Sequence, residues 1–98
     1  MNKGLNLLGL AQRAGKLVSG EQTVLKNIRQ KQATLVLVCS DASDNTKKNI
    51  SDKCRFYNVT YKEAFSSEEL SHALGKKRFV CALLDDGFTK RMVEILES

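Results

Sequence analysis

Apolar residues recur at helical spacing from the start of the chain. Leu5, Leu8, Ala11 and Ala14 fall three apart, with Leu7 and Leu10 widening the stripe. This spacing predicts an amphipathic helix over Asn2–Ala14. Gly15 suits the left-handed residue that stops it. Gly4 and Gly9 weaken the helix, so it relies on packing, and Gly9 marks a position that another element can approach closely. Lys16–Val18 reads as a very short strand. Ser19, with Gln22 three residues on, then makes an S-x-x-Q capping box for a second helix. That helix runs to about Lys31, with Val24, Leu25 and Ile28 inward and Thr23, Lys26, Asn27 and Gln30 on its polar side.

The period changes at Ala33–Cys39. Leu35, Val36, Leu37 and Val38 are continuously apolar, as in a strand covered by helices on both faces. Ser40 to Asp44 is a loop at its C-terminal end, where ligands gather in open α/β sheets. A helix from about Asp44 to Phe56 follows, with Asp41 or Asp44 as its cap, Ile50 and Cys54 inward and Asn58 as a left-handed stop. Val59–Tyr61 makes a short strand. Ser66-Ser67-Glu68-Glu69 is a second capping box, opening a helix through Leu74 that ends at Gly75 and turns His72 to water. Lys76-Lys77-Arg78 is a basic loop. Phe79–Leu84 is the second buried strand, with Phe79 in the core. Asp85 or Asp86 caps a last helix to about Glu97. This alternation predicts a single α/β domain over residues 1–98: a three-layer α/β/α sandwich around a small mixed sheet of about four strands. The first strand is short enough to pair antiparallel.

Charge adds a direction to this frame. The net charge is +5, and the excess is local. Residues 1–31 hold Lys3, Arg13, Lys16, Lys26, Arg29 and Lys31 against Glu21 alone. A clustered basic surface favours a polyanionic partner. No run reaches the roughly 18 apolar residues of a membrane span, and Met1–Leu10 lacks a signal-peptide pattern. The expectation is a cytoplasmic protein with no membrane partner.

Known chemistries fit poorly. G-x-G-x-x-G is absent, and Gly9…Gly15-Lys16 has P-loop spacing but Leu17 where Ser or Thr is needed. His72 is the sole histidine, and Asp85-Asp86 has a simpler use as a helix cap. Cys39, Cys54 and Cys81 are odd in number and far apart, without C-x-x-C. They read as buried, inert thiols rather than metal ligands or redox centres. We expect neither catalysis, nor a cofactor, nor a metal.

The candidate site is the stretch Lys16–Lys26. Backbone N–H groups at the start of a helix have no intrahelical partners, the dipole behind them is positive, and Lys16 and Lys26 flank them. Such an end suits a phosphate or a base edge.

Three segments, G-E-Q-T-V-L-K, L-V-L-V and S-D-A-S-D, together resemble the kink-turn RNA-binding family of ribosomal proteins called "L-seven-A-e", with its "L-thirty-e" relatives. The opening L-G-L-A-Q-R-A-G-K-L-V-S-G is similar to the family's short bacterial YlxQ-type branch. The resemblance covers essentially the whole chain. It implies an α/β/α sandwich that binds a sharply bent RNA loop with tandem sheared G·A pairs. The recognition motif is approximately G-x-N-E-x-x-K. Gly20 matches its glycine and Lys26 its lysine, while Gln22 stands at the asparagine and Thr23 at the glutamate. Gln22 keeps an amide, whereas Thr23 supplies no carboxylate. The resemblance also implies contacts from the loop at Ser40 and Asp41, and from Lys76, Lys77 and Arg78, where the family usually has small apolar residues closing over a flipped-out nucleotide. The implied partner is structured RNA, of ribosomal origin, with ribosomal or translation-factor proteins as further contacts. Two other readings compete. One is a protein-interaction module using the basic face for an acidic partner. The other is a small-molecule- or nucleotide-binding α/β enzyme.

Overall fold

Asn2 opens the chain's first helix by accepting from the amides of Gly4 and Leu5 at 2.7 and 3.2 Å. The computed structural model describes residues 2–98, so Met1, included in the signal-peptide reading, lies outside the described residues. Helix α1 (Lys3–Arg13) leads through Gly15, at φ +72°, into β1 (Leu17–Ser19) and α2 (Glu21–Arg29). Strand β2 (Leu35–Val38), α3 (Asp44–Tyr57) and β3 (Thr60–Glu63) follow. Then come α4 (Ser67–Leu74), β4 (Val80–Leu83) and α5 (Asp86–Glu97).

The sheet order is β1-β4-β2-β3. β2 and β3 run parallel, while β4 lies antiparallel to both β1 and β2. Side chains along a strand point alternately to opposite faces, and β2 and β4 feed both. Leu35, Leu37, Cys81 and Leu83 pack under α1, α4 and α5 through Leu5, Leu8, Leu70 and Met92. Val36, Val38, Val80 and Ala82 pack under α2 and α3 through Val24, Ile28, Ile50 and Cys54. This is the expected α/β/α sandwich around a four-strand mixed sheet.

Several local expectations hold. Ser66 and Glu69 close the capping box of α4, Gly75 ends it left-handed, and Asp85 caps α5. Asn58 takes the left-handed conformation after α3.

Others change. Gly9 faces α4, but a Cβ there would lie 3.8 Å from the Ala73 carbonyl oxygen, an ordinary contact; the close approach is at Gly4, where a Cβ would lie 2.7 Å from Phe65 Cζ. α3 is capped by the Ser43 hydroxyl, which accepts from the Thr46 amide at 3.1 Å, and not by Asp41 or Asp44. β3 starts at Thr60 rather than Val59 and runs to Glu63. As an edge strand it is half-buried and carries no clean apolar pattern.

One end of the sheet collects the loops. Ser19 sits opposite Cys81, and Val38 lies between Val80 and Glu63. The turn into α2, the loop after β2, the loop after β3 and the loop before β4 therefore emerge together.

Because Ile50 is fully buried beneath α3, Ile50→Ala should cost about 2–5 kcal/mol through lost contacts and a residual cavity. Urea unfolding monitored by circular dichroism will measure it, and a loss below 0.5 kcal/mol, within the ~0.5 kcal/mol range of surface changes, would contradict the packing described.

Candidate nucleic-acid interface

Gly20 is the hinge of the site. Its N–H donates to the Val80 carbonyl at 2.9 Å, which ties the start of α2 to the start of β4. Its φ of 95° and ψ of 141° are strained for any residue with a Cβ. Gly20 itself is the N-cap residue, and no side chain caps α2. This corrects the capping box expected of Ser19 and Gln22. Ser19 is the last residue of β1, and its hydroxyl accepts from Arg78 Nε at 2.8 Å. Gln22, Thr23 and Lys26 are all exposed, so the first turn of α2 carries polar side chains and no side-chain cap on its leading amides.

Glu21 is a member of this corner that sequence reasoning missed. It is half-buried, and its carboxylate accepts from Thr46 Oγ1 at 3.2 Å and Asn49 Nδ2 at 3.1 Å. The start of α2 is thereby tied to α3. Its one signal in the sequence was to be the lone acid among the first 31 residues.

The basic loop closes the other side. Arg78 is half-buried. Its amide donates to Ser71 Oγ at 2.9 Å and its Nη1 donates to the Lys77 carbonyl at 3.1 Å. Phe79 is 37% exposed, not the core residue expected. It lies past Val38↔Val80, the last register pair, with its carbonyl accepting from the Cys39 amide. Lys77 Nζ stands 6.0 Å from the centre of its ring. Between Gly20 and Glu21, Ser43 and Thr46, and the 77–80 segment lies a cleft of about 290 Å³.

The remaining predicted residues are placed less centrally. Ser40 and Asp41 emerge at the same sheet end but face α4. Ser40 bonds the Phe65 carbonyl through its amide at 2.9 Å. Asp41 accepts from the Ser67 amide at 2.8 Å and the Ser67 hydroxyl at 2.6 Å. Lys76 is exposed in the basic loop. Lys26 lies roughly 9 Å along α2 from Gly20 at a rise of ~1.5 Å per residue. Lys16 precedes β1 at the opposite end of the sheet, roughly 13 Å from Gly20 at ~3.3 Å per residue. The structure thus brings Gly20, Lys77 and Arg78 to one cleft, with Gln22 and Thr23 on the first turn of α2, Lys26 further along it and Lys16 a strand away.

The cysteine side chains and the sole histidine do not line this cleft. Burial pushes the Cys39 and Cys54 thiols up to about 11 and Cys81 higher still; Asp41 and Glu69 add to the effect at Cys39. Such thiols stay protonated at neutral pH and are poor nucleophiles. His72 is exposed and lines a larger hollow of about 600 Å³ between α1 and α4, with Arg13, Glu68 and Glu69. Glu69 is used there to accept from the Ser66 amide. Among the described residues, no group of three His, Cys, Asp or Glu residues could hold a metal ion. No helix among the described residues is long and apolar enough to cross a membrane.

This architecture defines a small α/β/α sandwich that opens an uncapped helix start beside a basic loop at one end of its sheet. The chain belongs to the Ribosomal protein L7Ae/L30e/S12e/Gadd45 family, whose model matches residues 2–92. It is 45% identical over 95 residues to "RNA-binding protein YlxQ" of Enterococcus faecium, covering 97% of this chain and 92% of that one. It is 48% identical over 92 residues to the protein of the same name from Bacillus subtilis, covering 93% and 92%. Among solved structures, a protein of unknown function from Bacillus halodurans superposes with a TM-score of 0.95 at 38% identity over the full length of both chains. The Giardia lamblia 15.5kD RNA binding protein shares the fold, with a TM-score of 0.79 at 22% identity over 95% of this chain and 81% of that one.

The Asp41 clasp has a pH signature. Ser67, first through its hydroxyl and then through its amide, holds the Asp41 carboxyl below its ordinary value of 3.8. A depressed folded-state pKa adds stability above that ordinary value and loses it as pH falls through the folded one. Asp41→Asn should therefore destabilise the protein at pH 7, with the difference shrinking as pH falls from about 5 towards 3. Denaturant unfolding at several pH values tests this; a gap that stays constant would remove Asp41 from that role.

Proposed function

We propose that this chain is a non-catalytic, cytoplasmic RNA-binding protein, associated with the ribosome and acting as one domain over residues 1–98. Its ligand is a structured, kink-turn-like RNA, held by the start of α2 and the adjacent loops without a cofactor. The observation that carries this reading is the corner where the uncapped start of α2, at Gly20 and Glu21, meets the Lys77–Phe79 segment across a cleft, with exposed Gln22 and Thr23 next along the helix. Family membership and the names of its relatives support it.

The division of labour follows from chemistry. Lys26, Lys76, Lys77 and Arg78 neutralise phosphates, Lys16 adds a more distant contact, and affinity falls with salt. Backbone amides beside Gly20, with Gln22 and Thr23, touch base edges and supply preference. Ser40 and Asp41 support the corner through α4. RNA is favoured because irregular RNA loops expose edges that a regular helix hides.

Lys26→Ala should weaken binding to a hairpin carrying tandem sheared G·A pairs by roughly 1 kcal/mol, about fivefold, with little change in thermal unfolding. Lys90 is the control: it is exposed on α5, across the sheet from α2. Equal losses from Lys26→Ala and Lys90→Ala would mean bulk charge alone. Hairpin affinity that ignores salt would remove the phosphate contacts and count against this reading.

A further inference from the structure

Ser19 and Arg78 come from segments 59 residues apart and meet at the edge of the cleft, with Arg78 Nε donating to Ser19 Oγ at 2.8 Å. The root of the arginine is fixed as well. Its amide donates to Ser71 Oγ at 2.9 Å, and its carbonyl accepts from the same hydroxyl at 3.3 Å. Nη1 donates to the Lys77 carbonyl. Nε and Nη1 therefore each hold a partner, and Nη2 is left for a ligand. Among the described residues, no carboxylate lies within ion-pairing distance of this half-buried cation. A cation drawn partly out of water without a counter-charge favours an anion over a neutral base edge. A lysine would supply charge without direction, whereas an arginine held at its side and its root supplies both.

We propose that Ser19 is a positioning residue that fixes Arg78 as a preset receptor for one backbone phosphate of the bound RNA. The proposal rests on the RNA-binding reading above. It gives a ligand-related role to a residue that the sequence offered only as a helix cap, and it makes the contribution of Arg78 depend on orientation as well as charge.

The test measures binding of the same sheared-G·A hairpin across a range of salt. Ser19→Ala, which leaves net charge unchanged, should weaken binding about twofold to tenfold, and Ser19→Thr, which keeps the hydroxyl, should restore it. Arg78→Gln should weaken binding and flatten the slope of log affinity against log salt by about one. In an Arg78→Gln protein, Ser19→Ala should have no further effect. Full affinity in Ser19→Ala overturns the proposal, as does the same loss persisting without the arginine. An unchanged salt slope in Arg78→Gln, with altered base preference, would give the fork to a guanine edge and overturn the phosphate assignment. The Arg78 Nε–H resonance of the free protein gives an RNA-independent readout: it should exchange slowly and move in Ser19→Ala. If that signal behaves as stated but the wild-type protein does not bind the hairpin at low salt, the RNA-binding reading has failed, and the phosphate receptor with it. If RNA binds but the signal is insensitive to Ser19, the positioning role alone has failed.

Discussion

The corner depends on the hydrogen bond from Gly20 N–H to the Val80 carbonyl. β4 is the pivot strand of the sheet, paired on one side with β1 and on the other with β2. The bond at Gly20 extends the β1–β4 pairing past the last strand residue, so the chain must turn into α2 within a single residue. Only a backbone free of a Cβ takes φ of 95° without strain. The same pairing delivers the basic loop before β4 to the start of α2. Helix start and cationic loop are thus set by one strand contact, and neither needs a flexible arm to reach the other.

That geometry also explains why the helix start is left open. A side-chain cap requires the preceding residue to lie outside the sheet, with its hydroxyl free to fold back over the first turn. Ser19 is instead held in β1 opposite Cys81, and its hydroxyl is taken by Arg78. The stability forgone at the cap is recovered elsewhere. Val24, Leu25 and Ile28 bury the other side of the helix, and Glu21 fastens it to α3.

Most of the fold was legible because its signals are local. The unbroken apolar run at Leu35–Val38, the capping box at Ser66–Glu69 and the stops at Gly15, Asn58 and Gly75 each follow from a few neighbouring residues. What was misread depends on distant partners. S-x-x-Q at Ser19–Gln22 has the form of a cap, yet a residue 59 positions away claims the hydroxyl. Asp41 reads as a cap for the helix that follows it, yet it binds Ser67, 26 positions on. Phe79 reads as core because it is apolar and opens a strand, but it lies at the sheet end where coverage is incomplete. The exposed positions Gln22, Thr23 and Lys26 were legible because the apolar stripe of α2 leaves them no other face.

The placement of acids around the corner decides whether its basic charge has reach. A lysine or arginine paired to a carboxylate contributes little field beyond a Debye length of roughly 8 Å at physiological ionic strength. Three acids in the segments that meet here have neutral partners. Glu21 accepts from Thr46 and Asn49, Asp41 from Ser67, and Glu69 from Ser66. Each of these donors is a neutral hydroxyl or amide, so each carboxylate is satisfied without drawing in a cation. Lys26, Lys76, Lys77 and Arg78 make none of the ion pairs found among the described residues. Four cations at this corner are therefore left unpaired for an anionic ligand, while the carboxylates beside them are held in place by neutral donors.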